Sequence, residues 1–128
     1  MQYEYFYGAQ AEQFSFYRIP KALFTVPNFR ELSTDAKVLY GILLDRMSLS
    51  LKNQWLDAQN KVYIIFTVEE IMDALNCANQ KATRLMVELE KQAGLIERKR
   101  QGLGRPNLIY VKNFAATING KSCEKGDS

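Results

Sequence analysis

Residues 67–111, TVEEIMDALNCANQKATRLMVELEKQAGLIERKRQGLGRPNLIYV, decide the fold. Thr67 and Glu70 have the spacing of a capping box, in which the hydroxyl accepts from the amide of Glu70 and the carboxylate accepts from the amide of Thr67. Val68, Ile71, Met72 and Leu75 then recur at helical spacing and form one apolar stripe on a short helix. Asn76, Cys77, Ala78 and Asn79 interrupt it with residues suited to turns and N-caps. A second stripe follows in Ala82, Leu85, Met86, Leu89 and Ala93, with Gly94 placed to stop the helix. Residues 95–100 and 107–112 are strand-like runs on either side of Gln101-Gly102-Leu103-Gly104-Arg105-Pro106, whose glycines permit the positive φ of a hairpin turn. Helix, tight turn, helix and basic hairpin make an α+β fold, a winged helix-turn-helix with a small antiparallel sheet and a basic β-hairpin wing.

The face of the second helix that turns away from its stripe carries the next clue. At about 100° per residue, Gln80, Arg84, Val87 and Lys91 lie opposite the stripe, flanked by Lys81 and Thr83. The first two turns thus offer Asn79, Gln80, Lys81, Thr83 and Arg84, with no acid until Glu88. Amide, hydroxyl and guanidinium groups match base edges and phosphates in a major groove. A solvated surface helix carries the same residue types, so this helix alone reads as ordinary surface.

The hairpin changes that balance. From Arg98 through Lys121 the chain has six basic residues (Arg98, Lys99, Arg100, Arg105, Lys112 and Lys121) and no acidic one, whereas before Arg98 twelve acidic side chains outnumber ten basic ones. The whole excess behind the formal charge of +3 is therefore confined to the hairpin and its exit. Lys and Arg on an edge hairpin also guard against aggregation. That accounts for a few charges but not for their segregation. A basic ribbon beside a polar helix is the footprint of a phosphate-backbone binder, and Arg98, Lys99, Arg100 and Arg105 join the helix residues as candidate DNA contacts.

Working outward, residues 1–13 are aromatic (Tyr3, Tyr5, Phe6, Tyr7) without a helical or strand period, and read as an arm that is disordered alone or docks on a partner. Residues 14–24 are partly alternating and broken by Pro20, which predicts a short strand with Ile19 held extended, then a turn of helix. Pro27-Asn28-Phe29 marks a turn. Ser33 or Thr34 caps a long helix ending near Asn53. Its face of Ala36, Leu39, Tyr40, Leu43 and Met47, widened by Ile42 and Leu44, makes it central in the core. Trp55-Leu56 and residues 62–66 bracket the polar turn at residues 57–60, as a second hairpin or as one strand with a long approach. The outgoing strand is expected to pair with the wing. Beyond Phe114 the composition is that of a linker. The expected organisation is an arm at 1–13, a DNA-binding domain at 14–114 and a linker at 115–128 leading toward a further domain.

The length of 128 residues and a 47% hydrophobic content suit one domain with an ordinary core. No apolar run approaches the roughly 20 residues of a membrane helix, and the first residues lack the basic and apolar segments of a signal peptide. A cytoplasmic protein with no membrane partner is expected. Cys77 and Cys123 are then inert thiols, too few for a metal site. The absence of histidine removes the usual general base, metal ligand and nucleophile activator. No Gly-x-x-x-x-Gly-Lys phosphate loop is present. The expectation is a binding domain, not an enzyme, with no cofactor and no metal.

Several long phrases point further. Residues 16–24 (FYRIPKALF), 32–41 (LSTDAKVLYG), 44–50 (LDRMSLS), 62–67 (VYIIFT) and 95–106 (LIERKRQGLGRP) stand in family order. Together they closely resemble the N-terminal domain of the RepA replication initiators (the RepA_N family) of plasmids in Gram-positive bacteria, from about Phe14 to Phe114. The resemblance implies a winged-helix domain that binds repeated sites in double-stranded origin DNA and acts as a homodimer or higher assembly. It also implies recruitment of host replication proteins through a C-terminal domain beyond the linker, which makes this chain the N-terminal part of such a protein. The wing motif matches while the helix at 79–93 varies among relatives, so Arg98, Lys99, Arg100 and Arg105 are carried over ahead of Gln80 and Thr83.

A winged-helix transcriptional regulator shares the same domain physics and is the competing reading, separable by direct repeats as against a single promoter site. A winged-helix module that binds protein instead of DNA would show weak salt dependence.

Overall fold

The computed structural model describes residues 2–8 and 13–115. Of the expected linker only Ala115 is described; Lys121 and Cys123 lie outside the described residues. The elements run α1 (Ala22–Thr25), a 3₁₀ turn (Pro27–Phe29), α2 (Thr34–Lys52), α3 (Val68–Leu75), α4 (Asn79–Val87), a π turn (Glu88–Gln92), β1 (Ile96–Lys99) and β2 (Leu108–Val111). No helix among the described residues is long and apolar enough to cross a membrane.

The apolar stripes form the core as their spacing predicts. Ala36, Leu39, Tyr40, Ile42 and Leu43 of α2 are buried with Ile71 of α3, with Ala82, Leu85, Met86 and Leu89 of α4 and its π turn, and with Ile96 and Ile109 of the wing. Ser33 is the α2 cap, its Oγ accepting from the amide of Ala36 at 3.2 Å. The Thr67–Glu70 capping box closes α3 in both directions. Asn76, left-handed at φ +53°, ends α3, and Gly94 at φ +66° follows the π turn.

The wing is an antiparallel pair in which Ile96 faces Val111, Glu97 faces Tyr110, Arg98 faces Ile109 and Lys99 faces Leu108. Residues 62–66, whose composition predicts a third strand, contribute one bridge instead. Ile64 and Ile109 exchange two hydrogen bonds of 2.9 Å. No further ladder bonds form beside it; Val62 bridges Leu56 in the preceding hairpin and Thr67 opens α3. Trp55 and Tyr63 stack at 6.2 Å across the small preceding hairpin, held by the Leu56–Val62 bridge.

Residues 14–20 form no strand, contrary to the alternation in their sequence. This segment crosses α2 at Gly41 instead, where a β-carbon would stand 2.8 Å from Cγ1 of Ile19 and 3.0 Å from the carbonyl oxygen of Arg18. Only a glycine lets the backbone approach the helix so closely.

Three glutamates fasten the elements together. Glu70 accepts from Arg46 of α2 at 2.7 Å while serving the α3 cap. Glu88, only 9% exposed, accepts from the backbone amide of Ser33 at 2.9 Å and from its hydroxyl at 3.0 Å, docking the end of α4 on the start of α2. Glu90 reaches the wing, accepting from the Arg98 amide at 3.2 Å, Nε at 2.9 Å and Nη2 at 2.7 Å. Burial pushes the Glu90 carboxyl up, but the side-chain and backbone hydrogen bonds from Arg98 and its charge outweigh this and hold it below the ordinary carboxylate range. Tyr40 ties α2 to the wing exit by donating to the carbonyl of Lys112 at 2.7 Å, and burial raises its phenol to about 12.

These ties set an order of stability costs. Loss of the cap in Thr67→Ala should cost about 1 kcal/mol. Glu88→Ala should cost more, about 1.5–3 kcal/mol, because it removes a charged acceptor and strands a partly buried amide. Urea unfolding of the two variants measures both costs, and the reverse ranking would contradict the docking role of Glu88. Glu90, with its lowered folded pKa, contributes stability that is complete above the unfolded carboxylate value and lost as pH falls through the folded one. The stability gap between the unsubstituted chain and Glu90→Gln should therefore be full at neutral pH and close in acid, as urea titrations at stepped pH would show.

Candidate nucleic-acid interface

Two elements meet on one side of the molecule. α3 and α4 form the helix-turn-helix, joined through left-handed Asn76, with the Cys77 amide donating to the Met72 carbonyl at 3.1 Å. The two helices begin differently. The start of α3 is closed by its capping box and carries Glu69 and Glu70 in its first turn, whereas α4 has no side-chain cap and no acid in its first turn. The leading amides of α4 and the positive end of its dipole are thus left available to an anion.

The wing turn has a built geometry. Gly102 and Gly104 adopt φ +126° and +77°, and the Gln101 side chain donates to the Pro106 carbonyl at 2.7 Å, closing the loop at its base. Between wing and helices lies a cleft of about 390 Å³ lined by Glu69 at the start of α3, by Asn79 and Met86 of α4, and by Arg98, Arg105 and Asn107 of the wing. The start of α4 and the basic wing therefore open onto the same space.

The candidate residues fall into three groups. Asn79, Arg98 and Arg105 share the cleft. Gln80, Thr83 and Arg84 are exposed along α4, and Lys99 and Arg100 are exposed where β1 leaves the sheet. The remaining cation of α4, Lys81, is drawn to Asp35 at the start of α2, 2.6 Å away, in a half-exposed pair that is weak by its nature. Arg98, expected among the outward wing contacts, has its guanidinium on Glu90 and first of all fastens the wing to the helix. The open positive charge of the wing is then that of Lys99, Arg100 and Arg105. Sequence reasoning passed over Glu90, which stands at the flank of the α4 stripe eight residues before its partner. It also passed over Asn107, whose place in the cleft nothing in the apolar spacing indicates.

Other surfaces carry different chemistry. Tyr3, Tyr5, Phe6, Phe14, Phe16 and Tyr17 are exposed, with Phe14 edge-on to both Phe6 and Phe16. On the outer face of the sheet Tyr110 donates to Asp57 at 3.0 Å. The backbone amide of Lys61 leads the contacts that hold the Asp57 carboxyl low, and burial followed by Asp57 itself raises the Tyr110 phenol.

Comparison with known proteins agrees with this geometry. A "41 kDa protein" of Lactobacillus helveticus is 32% identical over 103 residues, covering 80% of this chain, and the chain spans only 28% of that protein's length. Three solved structures superpose well. One described as the N-terminal domain of a DNA-binding protein has a TM-score of 0.72 at 39% identity, covering 88% of this chain and 85% of that one. A Rep–DNA complex has a TM-score of 0.71 at 39% identity, covering 86% and 84%. An MDR initiator has a TM-score of 0.69 at 40% identity, covering 86% of each chain. The model of the replication initiator protein A (RepA) N-terminus matches residues 15–125, so the chain belongs to the RepA_N family.

Proposed function

We infer that this domain binds double-stranded DNA at a plasmid replication origin, with α4 in the major groove and the wing on the flanking backbone. The observation that carries the reading is the shared cleft, in which the uncapped, acid-free start of α4 and Arg105 of the wing face one space. The similarity at 39% identity to a protein solved as a Rep–DNA complex supports it. Asn79, Gln80, Thr83 and Arg84 present amide, hydroxyl and guanidinium groups to base edges, and Lys99, Arg100 and Arg105 neutralise phosphates. Arg98 and Lys81 contribute charge from positions already engaged by Glu90 and Asp35. The domain acts by binding, without catalysis, in the cytoplasm.

Assembly belongs to the same proposal. Tyr3 and Tyr5 are 83% and 82% exposed, and burying one aromatic ring is worth about 1.5–3 kcal/mol. Two arms docked reciprocally would support a symmetric dimer that presents one α4 to each half-site.

Binding isotherms over a salt series test the interface. Arg100→Ala and Arg105→Ala should each lower the slope of log K against log salt by about 0.9 for every phosphate the arginine neutralises. Gln80→Ala and Arg84→Ala should instead cost specific binding about 1–3 kcal/mol while sparing random duplex. Unchanged affinity and slope in the wing variants, with folding intact, would remove the wing from the interface, and equal weakening on specific and random duplexes would reassign Gln80 and Arg84 to phosphate contact. Deletion of residues 2–8 should shift sedimentation toward monomer and weaken binding to paired sites more than to one half-site; an unchanged dimer fraction would free the arm of that role.

A further inference from the structure

Leu103 is 99% exposed at the tip of the wing, the most exposed of the large hydrophobic side chains among the described residues. Its setting is ordered. The Arg105 amide donates to the Gly102 carbonyl at 3.3 Å, which makes Leu103 and Gly104 the corner residues of a turn. The φ of +77° at Gly104 is what a type II turn requires at its third position. Gln101 and Pro106 clamp the base of the loop, and the Glu90–Arg98 pair fixes the stem to the helices. A β-carbon at Gly102 or Gly104 would meet nothing within 4 Å, so the turn stands in open space on both sides of the leucine. Arg100 and Arg105, both exposed, stand on either flank. An edge hairpin is ordinarily kept from associating by charge at its tip, and a fully exposed leucine there works against that rule.

We propose that Leu103 is a minor-groove wedge that reads the flank of the DNA site, accepting A·T pairs and rejecting G·C. This inference rests on the DNA-binding reading above and assigns the wing tip a role in specificity that charge alone does not supply. With α4 in the major groove, the wing reaches the neighbouring minor groove, about 6 Å wide, which a narrow turn can enter where a helix cannot. Arginines are drawn into the enhanced negative potential of a narrow A·T groove, and Leu is among the apolar side chains that proteins insert there. The floor of that groove shows only acceptors at A·T pairs, whereas G·C adds the guanine 2-amino group. A leucine pressed against that amine would strip its water and return no hydrogen bond.

The full chain is first used to select a short duplex from a randomised pool, and the pairs flanking the α4 footprint are then made A·T, G·C or inosine·cytosine. Inosine keeps the major-groove acceptors of guanine and lacks its minor-groove amine. The unsubstituted chain should bind the A·T and inosine·cytosine duplexes about tenfold more tightly than the G·C duplex. Leu103→Ala should level the three with an unchanged salt slope, and Leu103→Met should restore the preference. Because Leu103 packs on nothing, the fold survives either change. An unaltered flank preference in Leu103→Ala, or inosine·cytosine behaving like G·C, overturns the wedge and leaves DNA binding intact. Failure to select any duplex overturns the DNA-binding reading itself, and the wedge with it.

Discussion

The two halves of the candidate interface are held to each other by one carboxylate. Glu90 takes the backbone amide of Arg98 and two of its guanidinium nitrogens, so the first strand of the wing is pinned to the end of α4. A charged, multiply hydrogen-bonded contact of this kind is short and directional, unlike the loose pairing of long side chains on an open surface. Its neighbour Glu88 leaves the same π turn toward α2 and holds Ser33. The turn thus works as a joint, with one carboxylate fixing α4 to the body of the domain and the other fixing the wing to α4. A ligand that touches both α4 and the wing meets a surface whose angle is set before it arrives, which lowers the ordering cost of binding.

Much of this fold was legible because burial is periodic along a single element. Leu85, Met86 and Leu89 fall on one face of α4, Leu39, Tyr40 and Leu43 on one face of α2, and all are buried. The Thr67–Glu70 box and the break in the apolar stripe at Asn76 were local signals of the same kind. What failed were readings that depend on a distant partner. The alternation in residues 14–20 suggested a strand, but no partner strand is present among the described residues, and Ile19 packs instead where Gly41 makes room. The run at 62–66 has the composition of a full strand, yet it pairs with the wing only through Ile64.

The candidate site shows the same division. A count along the chain treats every Arg and Lys as open charge. Folding commits Arg98 to Glu90, Lys81 to Asp35 and Arg46 to Glu70, pairs whose members lie from eight to tens of residues apart. The outward charge of the wing is consequently smaller than the sequence implies and concentrated at Lys99, Arg100 and Arg105, around a leucine that no charge pattern could single out. The sequence offered Asn76 to Asn79 as turn and N-cap residues, but the N-cap position falls on Ala78, whose methyl side chain cannot cap, and only the fold turns this open start toward the same cleft as Arg105.

The central claim is that α4 and the wing form one DNA-binding face set by their shared joint. Titrating the isotopically labelled chain with its selected duplex and following backbone amide shifts tests this most directly. The account predicts shifts concentrated at residues 79–84 and 99–107, with the hairpin around Trp55 and the outer face of α2 little changed. Shifts centred on Trp55, Tyr63 and Tyr110, with α4 and the wing silent, would contradict it.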